Sequence, residues 1–470
     1  MQTQDPSHEK FDALIIGAGQ AAAPLARALG QAGWKTAVIE RKHVGGSCIN
    51  FGCTPTKAMA ASARVAYLAR RADEYGVHTG AVAIDLASVL ARKDAIVARF
   101  RDGVRQSLES ADKVELIFGH AAFEGPHAIA VQLNAGGSRR LAADHIFINT
   151  GTRAAIPPIP GLDQLPFLDA SSIQRLERLP DHLLVIGGGY IGLEFAQMFR
   201  RFGSRVSLIQ SGPQLMDRED ADVAEAVREI LVEDGLDVYL DAEVLSAGRG
   251  RAGAVVLNLA LPGGPLRLEG SHILLATGRT PNSDDLELGA AGVETDDAGN
   301  IRVNERLETG VPGIYAMGDV KGGPAFTHIA YDDYRVLKRN LLENGEATVD
   351  ARPVPYTVFI DPQLGRIGLT EDEAKASGRR ILLARLPMSH VARALEASEP
   401  RGFIKAVIDA DSERILGCAV LGLEGGELMA MLQLAMIGDI PYPRLRDAIF
   451  AHPTLAESLN NLFASPEKQS

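Results

Sequence analysis

Two cysteines stand five residues apart in the segment Gly45–Gly46–Ser47–Cys48–Ile49–Asn50–Phe51–Gly52–Cys53–Thr54–Pro55–Thr56–Lys57, and the chain has one other, Cys418. A thiol is nucleophilic only as the thiolate, a form that a helix N-terminus favours. The segment leads into a helical stretch expected over 58–71, so both thiols lie near a helix start. A pair at this spacing is close enough to cross-link and could alternate between dithiol and disulfide while an adjacent electron carrier fills or drains it. Two readings compete with this one: a pair of free, buried cysteines, or half of a metal site. Three cysteines cannot make a four-cysteine zinc site, no histidine pair lies nearby, and no metal is expected. The count is also too small for a secreted disulfide framework. Cys418, in the apolar run Ile415–Gly422, reads as a buried core thiol.

The elements that would position an electron carrier appear as an internal repeat. The apolar run Asp12–Ile16 ends in Gly17–Ala18–Gly19–Gln20–Ala21–Ala22, an Ala/Leu-rich helix follows to about Gly30, and a strand Lys35–Glu40 ends on an acid. The run Leu183–Ile186 ends in Gly187–Gly188–Gly189–Tyr190–Ile191–Gly192, with a helix through Phe202 and a strand Arg205–Gln210. From first glycine to the residue closing the second strand the offset is 23 in both copies, 17 to 40 and 187 to 210. One GxGxxG is weak; two, each after a strand and before a helix, indicate two dinucleotide-binding βαβ units. The first glycine turns the chain, the second lets backbone approach a pyrophosphate, and the third position, Ala22 in one copy and Gly192 in the other, packs helix on strand. The helix N-terminus then faces the phosphates. Glu40 is placed to accept hydrogen bonds from a ribose diol. Gln210 removes the carboxylate that would repel a 2′-phosphate but adds no cation; Arg218 or Arg201 would have to supply one. NADH and NADPH both stay open.

Length and charge bound the rest. At roughly 150 residues per domain, 470 residues suggest about three domains. Lys plus Arg (48) against Asp plus Glu (60) gives −12, which argues against nucleic acid or an anionic membrane as partner. Asp5, Glu9 and Asp12 interrupt any secretory leader. The longest stretch without Asp, Glu, Lys or Arg, Ala252–Leu266, contains Pro262–Gly263–Gly264–Pro265 and is too short to span a bilayer. A soluble, cytoplasmic protein is expected.

The segment GGSCINFGCTPTK, with both fingerprints, strongly resembles the FAD-dependent pyridine nucleotide–disulfide oxidoreductases: lipoamide dehydrogenase, glutathione reductase and mercuric reductase. Thr150–Gly151, GRTPN at Gly278–Asn282, GIYAMGDV at Gly313–Val320 and AHPTLAESLNNLF at Ala451–Phe463 extend the likeness over nearly the whole chain. The resemblance implies an α/β protein with two Rossmann-like domains and a C-terminal α/β dimerisation domain. FAD would occupy 10–150 and 281–345, NAD(P)H 151–280, and the interface 346–470. Gly17, Gly19, Ala22 and Glu40 would bind the ADP half of FAD, Asp319 the ribityl chain, and Gly187, Gly189, Gly192 and Gln210 the nicotinamide nucleotide. Gly46, Ser47, Thr150, Gly151 and Gly278 would complete the cofactor contacts. Cys53 would be the flavin-side thiol and Cys48 the one that attacks substrate. Lys57 would lie near flavin N5 and pair with Glu194; on residue type alone they read as a surface lysine and a helix-turn carboxylate. His452 would protonate the leaving thiolate, oriented by Glu457, and in the family this histidine comes from the partner of a homodimer. Thr454–Glu457 also spells a capping box that would start the last helix. His328 reads as structural, and the Met-rich run Leu428–Ile437 as a buried interface helix.

Departures from the pattern bear on the acceptor. The best-known mercuric reductases carry a C-terminal cysteine pair, whereas 464–470 read ASPEKQS, and they usually have tyrosine where this chain has His452. A typical lipoamide dehydrogenase has HAHPT and an acid closing the second nucleotide strand; here the residues are FAHPT and Gln210. The GCTPTK ending is nearer the mercuric-reductase-like branch, which includes flavoproteins of oxidant and copper stress. A disulfide or metal-ion reductase of that branch is therefore expected. Dihydrolipoamide dehydrogenase is the alternative, and a non-turnover FAD-binding redox sensor is the alternative from another class.

Overall fold

The computed structural model describes residues 8–350 and 352–468. Met1–Ser7, on which part of the leader reading rests, lie outside the described residues, as do Ala351 of the proline-punctuated interface segment and Gln469–Ser470 of the C-terminal tail. The chain divides into two compact units.

The first unit gathers the described part of Met1–Ala58 with Leu90–Ala155 and Gly278–Arg352. Its parallel strands run in the order Val114–Gly125, Thr36–Glu40, Glu9–Ile16, Ser138–Ile148, Ile314–Ala316. The run Ala13–Ile16 is buried to 3% exposure or less because it sits in mid-sheet with both faces covered. The helix Ala22–Gln31 approaches this sheet through small residues: a Cβ on Gly30 would stand 2.3 Å from the Asp112 carbonyl oxygen. Its Leu25 and Leu29 are fully buried, each contributing about 1.5–3 kcal/mol.

The second unit holds Met59–Val89, Ile156–Thr277 and the described part of Pro353–Ser470. A parallel sheet runs His272–Leu275, His182–Ile186, Arg205–Ile209, Asp237–Tyr239. A six-stranded antiparallel sheet is built from 356–468. Buried charges join these parts: Lys405, 4% exposed, lies 2.9 Å from Asp222 and 2.7 Å from Glu371. Cys418 is fully buried in the antiparallel sheet, and burial pushes its thiol up to about 12.

Two expectations are corrected. The helix expected over 58–71 is Cys53–Arg70 and so takes in the second thiol. Arg201 is not free to reach a nucleotide: it is buried, bonded to Asp234 and Asp361, and stacked over the Tyr67 ring at 3.9 Å. Arg218 is exposed. The helix Gly425–Ile437, which contains the run expected as an interface helix, buries Leu428, Met429, Leu432 and Ala435 within the chain and leaves Leu434 68% and Ile437 63% exposed on its other face.

Candidate active site

The first fingerprint is a turn that admits no side chain. Gly17 has φ +95°, and a Cβ there would stand 2.5 Å from the Asn149 carbonyl oxygen; at Gly19 it would stand 2.9 Å from Asn149 Nδ2. Asn149 Nδ2 donates to Gly17 O at 3.2 Å, so a residue just past the strand Ser138–Ile148 closes the turn from below. Glu40 ends its strand with the carboxylate fixed: Oε2 accepts from Ala18 N–H at 2.9 Å, and Oε1 from Lys42 and His43 N–H at 2.7 and 3.2 Å. Ala22 is fully buried at the first position of its helix, the third fingerprint position, where a small residue lets helix pack on strand.

The cysteine segment is fastened to this turn. Gly45 N–H donates to Ala18 O at 2.8 Å, Gln20 Nε2 donates to Gly45 O at 2.8 Å, and a Cβ on Gly46 would lie 2.8 Å from Gly19 Cα. Ser47 is exposed in the short helix Gly46–Asn50, which also carries Cys48. Asn50, buried, donates to the carbonyls of Val44 and Gly46, both at 2.9 Å, and accepts from Arg101 Nε at 2.7 Å. After the tight Phe51–Gly52 link, both of whose N–H groups donate to Ser47 O, Cys53 is the first residue of the helix Cys53–Arg70.

All three cysteines are free thiols, with Cys48 half-buried and Cys53 exposed. Cys48 is hydrogen-bonded to Cys53, and this bond, with burial, holds its proton well above the ordinary thiol range. Lys57, half-buried one turn along the same helix as Cys53, and Thr327 pull the other way on Cys48. Thr327, first residue of the helix Thr327–Leu342, has its Oγ1 3.3 Å from Cys53 Sγ. His328 beside it stacks on Phe326 with 5.4 Å between ring centroids.

Thr150–Gly151 and Gly278–Asn282 form one motif in space. Thr152–Ala154 pairs antiparallel with Arg279–Pro281, Asn282 N–H donates to Gly151 O at 2.9 Å, and Ala155 N–H donates to Gly278 O at 3.0 Å. Asp319 accepts from Thr152 Oγ1 at 3.3 Å. Its loop is set by Asp333, fully buried, which accepts from Gly318 N–H at 2.8 Å and meets Lys321 and Arg352.

In the second fingerprint Gly187 has φ +114°, and a Cβ on Gly192 would lie 2.0 Å from Gly187 O, so both must be glycine. A Cβ on Gly189 would meet nothing within 4 Å. Gln210 Oε1 accepts from Gly188 N–H at 2.9 Å, in the place that Glu40 takes against Ala18. Glu194 is buried in the helix Tyr190–Phe202 and accepts from Phe359 N–H at 2.9 Å.

Glu457 settles between its two sequence readings. Its N–H donates to Thr454 Oγ1 at 3.2 Å, the first half of a cap, but its carboxylate takes His452 Nδ1 at 2.8 Å instead of returning to the Thr454 backbone. The histidine side chain is 69% exposed. Among the described residues no group of three or more His, Cys, Asp or Glu side chains is arranged to hold a metal. No described helix is long and apolar enough to cross a membrane.

Residue type and spacing single out the thiols and both fingerprints, and the family resemblance adds Asp319 and His452–Glu457. They miss Thr327, Asn149, Asn50, Thr152 and Asp333, whose partners are mostly remote in sequence. Asn149 and Thr152 flank the Thr150–Gly151 motif, the one local hint available.

The sequence profile of "Pyridine nucleotide-disulphide oxidoreductase" matches residues 11–333, and that of the family's dimerisation domain matches 354–463. The chain is 36% identical over 97% of its length to the probable pyridine nucleotide-disulfide oxidoreductase RclA of Escherichia coli, covering 99% of that protein. It is 35% identical to a dihydrolipoyl dehydrogenase of Thermus scotoductus, with 98% of each chain covered, and 32% identical to a mercuric reductase of Lysinibacillus sphaericus, covering 96% of this chain and 82% of that one. A solved structure described as the Cu(II) complex of the HOCl-induced flavoprotein disulfide reductase RclA from Escherichia coli superimposes with TM-score 0.89, covering 97% of this chain and 99% of that one at 36% identity.

Proposed function

The chain belongs to the pyridine nucleotide-disulphide oxidoreductase family, and from that premise we propose that its Cys48–Cys53 pair delivers electrons to a small disulfide or a thiophilic metal ion. It is an FAD-dependent NAD(P)H disulfide oxidoreductase. The turn at Gly17–Ala22 with Glu40 fits the ADP half of FAD, since backbone can approach a pyrophosphate where no Cβ intervenes. FAD held there would supply two-electron transfer between a nicotinamide and a disulfide. The observation that carries the reading is the cysteine geometry: Cys53 at a helix N-terminus, bonded to the thiol of Cys48 and fastened to the FAD fingerprint.

The residues then divide the work. Cys48 as thiolate attacks one sulfur of the acceptor disulfide and releases one thiol. Cys53 attacks Cys48 Sγ, restores the Cys48–Cys53 disulfide and releases the second thiol; the two electrons lost by the pair are those gained by the acceptor. The His452–Glu457 dyad, contributed across a homodimer, protonates the first leaving thiolate. Lys57 balances negative charge at the flavin, and Glu194 is assigned to the same step. Thr150, Gly151 and Gly278 serve the cofactors, and Asp319 the ribityl chain. The division at 150, 280 and 345 into FAD, nicotinamide and interface segments, and a cytoplasmic location, belong to the same reading. The relative described with Cu(II) supports a metal ion among the acceptors.

The test is a panel of glutathione disulfide, lipoamide, Hg(II), Cu(II) and quinones, each with NADH and with NADPH, and dihydrolipoamide with NAD+ for the reverse direction. A disulfide other than lipoamide, or a metal ion, should support the fastest turnover. Fastest turnover with the lipoamide–dihydrolipoamide couple would replace this reading with dihydrolipoamide dehydrogenase.

A further inference from the structure

Thr327 comes to Cys53 across 274 residues of sequence. Its hydroxyl can donate or accept, whereas a thiolate can only accept. With Cys53 ionised, the Thr327 O–H must therefore donate to Sγ, and the bond becomes charge-assisted; with Cys53 protonated it is an ordinary weak contact. A bond that is stronger to the charged form favours that form.

The neighbours direct the same charge to the same atom. Cys48 is hydrogen-bonded to Cys53, and that bond, with burial, raises its hold on its proton. Cys53 opens an 18-residue helix and Thr327 a 16-residue one, so two helix N-termini meet at the sulfur. The charged group acting on Cys48 is Lys57, one turn along the helix of Cys53; His328, next to Thr327 in sequence, is exposed and stacks on Phe326. Thr327 bears on Cys48 too, but a hydroxyl has one proton, and the sulfur carrying the charge receives it.

We propose that the Thr327 hydroxyl is a positioning group that places the negative charge of the singly protonated thiol pair on Cys53 and leaves the proton on Cys48. This rests on the reading that Cys53 is the flavin-side thiol. It makes Thr327 responsible for the asymmetry of two otherwise identical groups: Cys53 is the stored thiolate, and Cys48 becomes nucleophilic only when its proton is drawn off by the incoming base.

The test uses the FAD-loaded, full-length protein carrying Cys48→Ser, in which Cys53 is the only thiol of the pair. Absorbance of the long-wavelength thiolate-to-flavin band against pH gives the ionisation midpoint of Cys53. Adding Thr327→Val should raise that midpoint by about one pH unit, a tenfold fall in the thiolate-to-thiol ratio at any given pH. Adding Thr327→Ser instead should leave it within a few tenths of a unit. An unmoved midpoint in Thr327→Val, or equal shifts in the Val and Ser variants, would overturn the proposal. If Thr327→Val does not retain FAD, a full-unit rise in Thr327→Ser alone still overturns it. Absence of the band at every pH in Cys48→Ser itself would instead refute the placement of Cys53 beside the flavin.

Discussion

The two nucleotide turns share a backbone plan and differ in how they are closed. At Gly17–Glu40 the carboxylate accepts three backbone N–H groups, Asn149 fills the space beneath both glycines, and the cysteine segment is bolted on through Gly45 and Gly46. At Gly187–Gln210 one amide oxygen accepts one N–H, and the second glycine faces open space. The first turn is built into its surroundings and directly coupled to the redox pair. The second is closed beneath Gly187 by the Ala276 carbonyl and tied to Met216 N–H through Gly188 O at 3.0 Å, with nothing against Gly189. That difference suits a retained prosthetic group in one place and an exchanging co-substrate in the other.

Substituting the obligatory glycines should separate the two duties most sharply. Gly17→Val meets the Asn149 carbonyl and a left-handed φ, and should reduce FAD retention about a hundredfold, on the order of 3 kcal/mol. Gly192→Val should leave flavin content near normal and abolish flavin reduction by NAD(P)H, read by anaerobic stopped-flow. Loss of flavin from the Gly192 variant would show that the turns are not separate in duty.

Repeated elements are what the sequence makes legible. Strand, glycine turn, helix and strand follow local periodicity, so both turns, their matched offsets and the thiol pair can be read directly from residue types. What closes each turn cannot. Asn149 and Thr327 act through contacts spanning 132 and 274 residues, and no local pattern records them. Arg201 looks like a free cation in sequence because nothing nearby predicts Asp361, 160 residues on, as its partner. Glu457 was ambiguous for the opposite reason: cap and histidine partner are both local, and only geometry chooses.

The second expected effect lies outside both turns and so checks that they are not the whole mechanism. His452→Gln should slow dithiol–disulfide exchange about 10²–10³-fold while leaving flavin reduction by the nicotinamide intact, measured as separate half-reactions. Glu457→Gln, which weakens one charge-assisted bond, should slow the same half-reaction about tenfold. Equal slowing of both half-reactions would remove the dyad from its assigned step.

The smallest effect makes the second turn resemble the first. Gln210→Glu restores a carboxylate where a 2′-phosphate would lie and should lower kcat/KM for NADPH about tenfold, with NADH unchanged or improved. Equal changes for the two nucleotides would mean that Gln210 does not read the 2′ position.

The central claim is that electrons leave the flavin through Cys53. Anaerobic addition of NADH or NADPH to the wild-type protein should bleach the oxidised flavin band and raise a long-wavelength charge-transfer band. Cys53→Ser should retain FAD and still bleach, yet never develop that band. Its appearance in the Cys53→Ser protein would contradict the account.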